Sequence, residues 1–242
     1  MKMVRRARLG WTLVELLVTI GIVAAIAGLL IPALAAGRRA SCRAASLAHQ
    51  SQVLQALLLY SHDNDDRAPY WGVPGTEVAP LVIDGHLVTN SHWAQPTRWG
   101  AFLESRGYDG WQSRLAGCGV AKHVDRPATP WTGSAIHWLT HTLYTRDQYW
   151  TQAWERAPRD CSGRRLAEVT YPSAKGLMFQ VGSLPEGDTP EVMLQPRTRW
   201  IVGFADGHVE SPRFDSLRPG MPSPYATLPI ETTINGLQGR DL

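Results

Sequence analysis

The sequence of 242 residues has few of the features on which catalysis or metal binding commonly depends. It contains three cysteines and no Cys-x-x-Cys pair, which argues against a zinc ribbon or a thioredoxin-type redox site. It also has no Gly-x-Ser-x-Gly motif, no phosphate-binding loop and no dinucleotide fingerprint. We therefore expect no enzymatic activity, no catalytic residue, no cofactor and no bound metal.

An excess of positive charge is also lacking over most of the chain. Lys and Arg number 24 against 21 Asp and Glu, a formal net charge of +3. Several of the cations lie within residues 1–10, so the remainder is close to neutral. Because no long basic block is present, nucleic-acid binding has no electrostatic support, and we expect no nucleic-acid partner.

What the sequence does have is a long apolar run over residues 16–36, LLVTIGIVAAIAGLLIPALAA, without a charged side chain. A helix of that length spans a bilayer. Pro32 removes one backbone hydrogen bond inside the run and predicts a helix kink. Two simpler interpretations compete: a plain signal anchor, and a cleaved secretory signal whose cleavage site is the small-residue ending PALAAG.

Glu15 lies at the N-terminal end of this apolar run. An acidic side chain well inside hydrocarbon costs roughly 2.5 to 3.5 kcal/mol even on the permissive insertion scale, so it implies a partner or a function. If the chain is cut after Gly10, the new amino terminus at Trp11 lies a little over one helical turn from Glu15. That cation could pair with the carboxylate of its own chain or of a neighbour.

The segment RARLGWTLVELLVTIGIVAAIAGLLIPAL resembles the N-terminal signature of type IV prepilins and type II secretion pseudopilins. In that family a prepilin peptidase removes a short basic leader ending in glycine, on the cytoplasmic face, and then methylates the exposed amine. The resemblance implies cleavage between Gly10 and Trp11, N-methylation of Trp11, and docking into a growing filament through Glu15. Pro32 also matches a recurrent position, whereas the family usually has Phe in place of Trp11.

The same resemblance implies a structural pilin-like or pseudopilin subunit of a type II secretion or type IV pilus-like system. Its expected partners are prepilin peptidase, other subunits, the inner-membrane assembly machinery and the lipid bilayer. Its expected location is the bacterial inner membrane, as a single-pass protein with a periplasmic head, or a pilus or pseudopilus. The alternative is a membrane-anchored periplasmic binding or enzymatic domain that uses a pilin-like export signal.

The expected fold is α+β, with a long N-terminal stem helix packed on a small antiparallel-sheet, loop-rich head. Its segments are a basic leader at 1–10, a hydrophobic transmembrane and assembly helix at 11–37, an amphipathic stem helix at 38–66 and a globular head with an irregular tail at 67–242. The amphipathic pattern comes from apolar residues at spacings near three, four and seven. These residues are Ala40, Ala44, Leu47, Leu54, Leu57 and Leu58.

Two further motifs are similar to those of a pilin-like group widespread in planctomycete-type bacteria. Residues 60–69, YSHDNDDRAP, match its helix-ending turn, with Asp66 in place of a glycine. The group's Phe-Ala-Asp-Gly-His motif stands here at residues 204–208. We expect the aspartates to form a turn; calcium binding is the alternative, although the spacing is not that of an EF-hand loop.

Apolar runs at 177–181 and 200–204 predict two strands. The turn motif Asp206, Gly207 and His208 predicts a tight hairpin after the second strand, because glycine readily takes a positive φ. A chemical role for the aspartate and the histidine is the alternative to a purely structural hairpin.

His137 and His141 are four residues apart and would share one face of a helix, a spacing found in zinc sites, although the glutamate of His-Glu-x-x-His is absent. Packing or a polar position on the surface is the alternative. Cys118 and Cys161 could form a disulfide in an exported head, which would close a loop of about 44 residues and contribute on the order of 3 to 4 kcal/mol. Two thiols are the alternative, and Cys42 has no assigned role.

Overall fold

The computed structural model describes residues 12–72, 81–83, 86–88, 95–96, 99, 102, 137–146, 161–180, 196, 198–222 and 227–242. The chain divides into two compact units, Met1–Ser41 and Cys42–Leu242. The predicted cleavage site, Gly10 and Trp11, lies outside the described residues, as does Cys118. Cleavage and methylation therefore stay predictions.

The first element is helix α1, Leu13–Asp63, a single helix of 51 residues with Pro32 inside it. Thr12 and Glu15 form hydrogen bonds with each other at the N-terminal end of the helix. At its C-terminal end, Asp65 and Asp66 take left-handed backbone angles, with φ of 55° and 61°. Residues with positive φ cannot continue a right-handed helix, so the predicted turn after residue 63 is present.

The strands form two antiparallel sheets. The first pairs β1, Leu81–Ile83, with β2, His86–Val88. The second has the order β3-β4-β5-β6. Its members are β3, His137–Leu139; β4, Gly176–Gln180; β5, Val202–Phe204; and β6, Val209–Glu210. The fold is α+β, as the sequence predicts, and both predicted strands are present in the second sheet.

The part of α1 that belongs to the second unit packs on this sheet. Gly203 of β5 makes the close approach possible, since a Cβ atom there would meet Leu54 Cδ2 at 3.0 Å. The buried helical residues are Cys42, Ser46, Gln50, Val53, Leu54, Leu57, Tyr60 and Ser61. The predicted apolar stripe is confirmed at Leu54 and Leu57 but is wrong at Ala40 and Ala44, which are exposed. Small and polar side chains take the buried positions nearer the N-terminus.

The C-terminal segment, residues 227–242, covers residues of β4 and β5. Ile230 contacts β4 so closely that a Cβ atom on Gly176 would lie 2.9 Å from its Cγ2 atom. Ile230 belongs to a second apolar cluster with Phe179, Val202 and Phe204. Because all of β4 is buried, the strand is covered on both of its faces.

Candidate functional site

The N-terminal end of α1 places Glu15 in a reciprocal arrangement with Thr12. The Thr12 backbone N–H and hydroxyl donate to Glu15 Oε2 at 2.9 Å and 2.8 Å. The Glu15 N–H donates in return to the Thr12 hydroxyl oxygen at 3.3 Å. This is the geometry of a capping box, which satisfies helix N–H groups that have no partner within the helix. The carboxylate thus has an intrachain role that the sequence analysis missed, although the pattern Thr-x-x-Glu is its known signature.

Behind this cap, α1 carries an apolar surface that other described residues do not cover. Its large aliphatic side chains between Leu13 and Leu34 are all at least half exposed; Leu13 is 78% exposed and Leu34 is 75% exposed. A stretch of α1 is long and apolar enough to cross a membrane, and none of its residues is buried. A water-exposed surface of this extent requires either lipid or another protein to cover it.

In the second unit, Gln50 joins α1 to the sheet. Its side chain is fully buried, and its amide nitrogen donates to the backbone carbonyls of Met178 at 3.1 Å and Ile201 at 3.2 Å. Both carbonyls can only accept hydrogen bonds, so the side-chain atom that faces them must be the amide nitrogen. The other polar atom of the amide is therefore Oε1, which can only accept. His137 Nδ1 lies 3.1 Å from that oxygen and therefore donates to it.

A second histidine, His49, belongs to the same chain of hydrogen bonds. With its proton on Nδ1, a neutral His137 presents an unprotonated Nε2, which accepts from His49 Nδ1 at 3.1 Å. Burial, together with the neighbouring His49, lowers the pKa of His137 to about 3. A neutral His137 is therefore part of a directed chain of hydrogen bonds from α1 through β3 and back to α1.

His137 and His141 do not lie on one helix, although their spacing predicts this. His137 is the first residue of β3, whereas His141 begins a 3-10 helix, so the expected shared helical face is wrong. The two side chains have separate partners, Gln50 for His137 and the Glu231 carboxylate, at 3.2 Å, for His141. Both are buried, which agrees with the packing alternative. Among the described residues, no group of three or more His, Cys, Asp or Glu side chains is arranged to hold a metal ion.

The aspartate-rich turn after α1 serves as an attachment point within the head. The Asp66 carboxylate accepts from the Ala167 N–H at 2.6 Å, and its carbonyl accepts from the Leu166 N–H at 2.8 Å. Arg67 adds a hydrogen bond to the Gly163 carbonyl at 3.0 Å. Asp66, which replaces the motif's glycine, thus combines a left-handed backbone with a side-chain contact that glycine cannot make.

The predicted hairpin at Asp206 and Gly207 joins β5 to β6, with φ of +91° at the glycine. His208 Nδ1 lies 2.5 Å from Asp206 Oδ1, and its ring stacks on Phe204 at 4.4 Å between centroids. The pKa of Asp206 lies below its usual range. Partial burial by itself would raise this pKa, but the hydrogen bonds from His208 have the larger combined effect. These contacts hold the turn together and account for the motif structurally.

The cysteines do not pair as the sequence suggested. Cys42 of α1 is in a disulfide, whereas Cys161 is a fully buried thiol. The predicted Cys118–Cys161 bond is therefore not formed. The reason is positional: α1 packs on the head and places Cys42 inside it, and spacing along the chain does not reveal this.

No protein-family model, curated protein or solved structure matches this chain at a significant level.

Proposed function

We propose that this chain is a structural pilin-like or pseudopilin subunit, processed after Gly10 and assembled through the exposed apolar part of α1. The observation that carries the proposal is a helix whose apolar surface is uncovered over residues 13–34 and which has a single carboxylate, Glu15, at its start. The basic residues before it and the resemblance of residues 6–34 to the prepilin signature support the same function.

The apolar surface supports both stages of such a function. Before assembly, lipid would cover the helix, since its length and hydropathy suit a single membrane span. After assembly, the same surface would pack against the helices of neighbouring subunits. Because α1 contributes residues to both units of the chain, a helix held in an assembly would carry the head with it.

Glu15 has two distinct functions in this proposal. Thr12 occupies Oε2, so the carboxylate caps its own helix. Its remaining charge would attract the amine that cleavage creates at Trp11 of the same or a neighbouring subunit. Capping alone would make Glu15 a local stabiliser of the helix; docking requires an effect on association as well.

Processing is tested by co-expression with a prepilin peptidase and mass spectrometry of the mature N-terminus. We expect the loss of residues 1–10 and the gain of one methyl group on Trp11. Gly10→Ala should block the loss. Gly21→Ala is the matched control, because a Cβ atom there meets nothing within 4 Å. Unchanged processing of Gly10→Ala would contradict the proposed cleavage site.

Docking is separated from capping by comparing Glu15→Ala with Thr12→Val. Both variants disrupt the cap, but only the first removes the charge. We expect both to insert in membranes, and we expect Glu15→Ala alone to reduce co-isolation of two differently tagged copies, about tenfold for a lost contact of about 1.4 kcal/mol. Equal association of the two variants would show that Glu15 acts only as a helix cap.

A further inference from the structure

Lys175 and Asp241 form a buried pair that none of the proposed assembly functions uses. Lys175 immediately precedes β4, and Asp241 lies in the C-terminal segment. Their side chains are 0% and 1% exposed, and Lys175 Nζ lies 2.9 Å from Asp241 Oδ2. Two opposite charges removed from water in this way lose much of their hydration, and their attraction repays that loss only in part.

Two further groups surround the carboxyl group of Asp241. The Thr233 hydroxyl accepts a short hydrogen bond from Lys175 Nζ and lies 2.5 Å from Asp241 Oδ1, to which it donates. The Gly176 backbone N–H donates to Asp241 Oδ2 at 2.9 Å. The hydroxyl therefore connects the amine to one carboxyl oxygen, while a backbone donor holds the other.

We propose that Lys175 and Asp241 condense into an intramolecular isopeptide bond. One proton of the ammonium group passes through the Thr233 hydroxyl to Oδ1, which leaves a neutral amine and a carboxylic acid. The Nζ lone pair then attacks Cγ, and the negative charge that develops on Oδ2 is stabilised by the Gly176 N–H. A second proton follows the same path to Oδ1, the Cγ–Oδ1 bond breaks, and one water molecule leaves.

The surroundings favour this reaction over a persistent ion pair. Burial is the main cause that lowers the pKa of Lys175, and the charge of Arg164 acts in the same direction, while Asp241 opposes them. The amine is thereby brought closer to its nucleophilic, neutral form. The amide product carries no charge, so it suits a dry site better than two ions do. Well-oriented neighbouring groups also react with effective molarities of about 10⁵ to 10⁸ M.

The bond would join the start of β4 to the end of the C-terminal segment. That segment already contacts the residues just before β4, since the Asp241 N–H donates to the Ala174 carbonyl at 2.8 Å. A covalent link there would keep the segment attached even when its hydrogen bonds open. This inference does not depend on whether the chain assembles.

The test is a tryptic digest of the full-length protein, purified in detergent and fully denatured. Trypsin cleaves after Arg165, Lys175, Arg197 and Arg240 in the unmodified chain. We expect most chains to yield instead a branched peptide, in which residues 166–197 stay uncleaved at Lys175 and carry the dipeptide Asp241-Leu242. Its mass is that of the two peptides less one water molecule.

Lys175→Arg and Asp241→Ala are the controls. The first keeps the positive charge but cannot condense, and the second removes the carboxyl group. Both should give only linear peptides. Linear peptides from most wild-type chains would overturn the proposal, whereas the branched peptide in most wild-type chains and in neither variant would establish it. Since the wild-type digest decides the outcome, poor folding of a variant does not affect the test.

Discussion

His137 Nδ1 lies 3.1 Å from Gln50 Oε1, which joins the first strand of the main sheet to the long helix inside the core. Both side chains are at most 2% exposed. The Gln50 amide makes hydrogen bonds through both its nitrogen and its oxygen, so each polar atom of the contact is satisfied. A buried network of this kind specifies one arrangement of helix on sheet, because any shift leaves polar groups without partners.

Replacing Gln50 with leucine should therefore destabilise the head strongly. The change removes the side-chain donor to the Met178 and Ile201 carbonyls, although the Ile201 carbonyl keeps the Gln180 N–H at 3.0 Å, and it removes the acceptor of the His137 imidazole N–H. Each buried polar group left without a partner costs about 1 to 3 kcal/mol. We expect a loss of about 3 kcal/mol in the free energy of unfolding, measured by guanidinium titration with detection of head fluorescence. Gln52→Leu on the same helix is the matched control, since Gln52 is exposed. Equal destabilisation by both changes would contradict the network.

The neutral His137 predicts acid sensitivity. Its folded-state pKa of about 3 lies below the ordinary value of 6.5, so the unfolded chain binds a proton first as pH falls. The contribution to stability is fully present above about pH 6.5 and is lost as the pH falls from there towards 3. By pH 4.5 the head should lose roughly 2 to 3 kcal/mol, measured as the shift in denaturation midpoint.

His137→Asn should reduce this pH dependence, because asparagine does not titrate in that range. His62→Asn is the control, since His62 is exposed at the end of α1. The idea fails if the wild-type protein and His137→Asn lose stability in parallel between pH 6.5 and 4.5.

The Asp66 turn predicts an order of stability among three variants. Alanine at this position loses the hydrogen bond to the Ala167 N–H and also retains an unfavourable left-handed backbone. Glycine loses the same hydrogen bond but tolerates the positive φ. We therefore expect Asp66→Ala to cost about 1 to 2 kcal/mol and Asp66→Gly about half as much, in thermal unfolding. An Asp66→Gly protein less stable than Asp66→Ala would contradict the reading of the turn.

The cysteines predict a specific labelling pattern. Iodoacetamide added to the unfolded, unreduced protein should modify Cys161, and Cys42 should react only after reduction. In the folded protein Cys161 should be protected, because it is fully buried. Peptide mapping without reduction identifies the partner of Cys42, and a peptide that joins Cys42 to Cys161 would contradict this labelling pattern.

Local patterns were sufficient for much of the fold. The apolar run predicts α1, short apolar runs predict β4 and β5, and the turn chemistry of Asp206 and Gly207 predicts the hairpin between β5 and β6. Each of these signals acts over a few neighbouring residues, so it is readable without knowledge of the rest of the chain.

The buried polar groups could not be predicted in the same way. Gln50, Lys175 and Asp241 belong to residue types that are mostly exposed, and each is buried against at least one partner more than 60 positions away. The prediction for Ala40 and Ala44 was wrong for the converse reason: their apolar character suggested burial, but no residue in the described part of the chain covers them.

The sequence by itself determined the apolar helix, the carboxylate at its start and the α+β class, since these depend on hydrophobicity and on turns formed by adjacent residues. Only the tertiary structure decided which cysteine is oxidised, which histidine is neutral and which lysine meets an aspartate in a dry interior. Those outcomes depend on desolvation and on distances between remote segments, and both arise only when helix, sheet and C-terminal segment pack together.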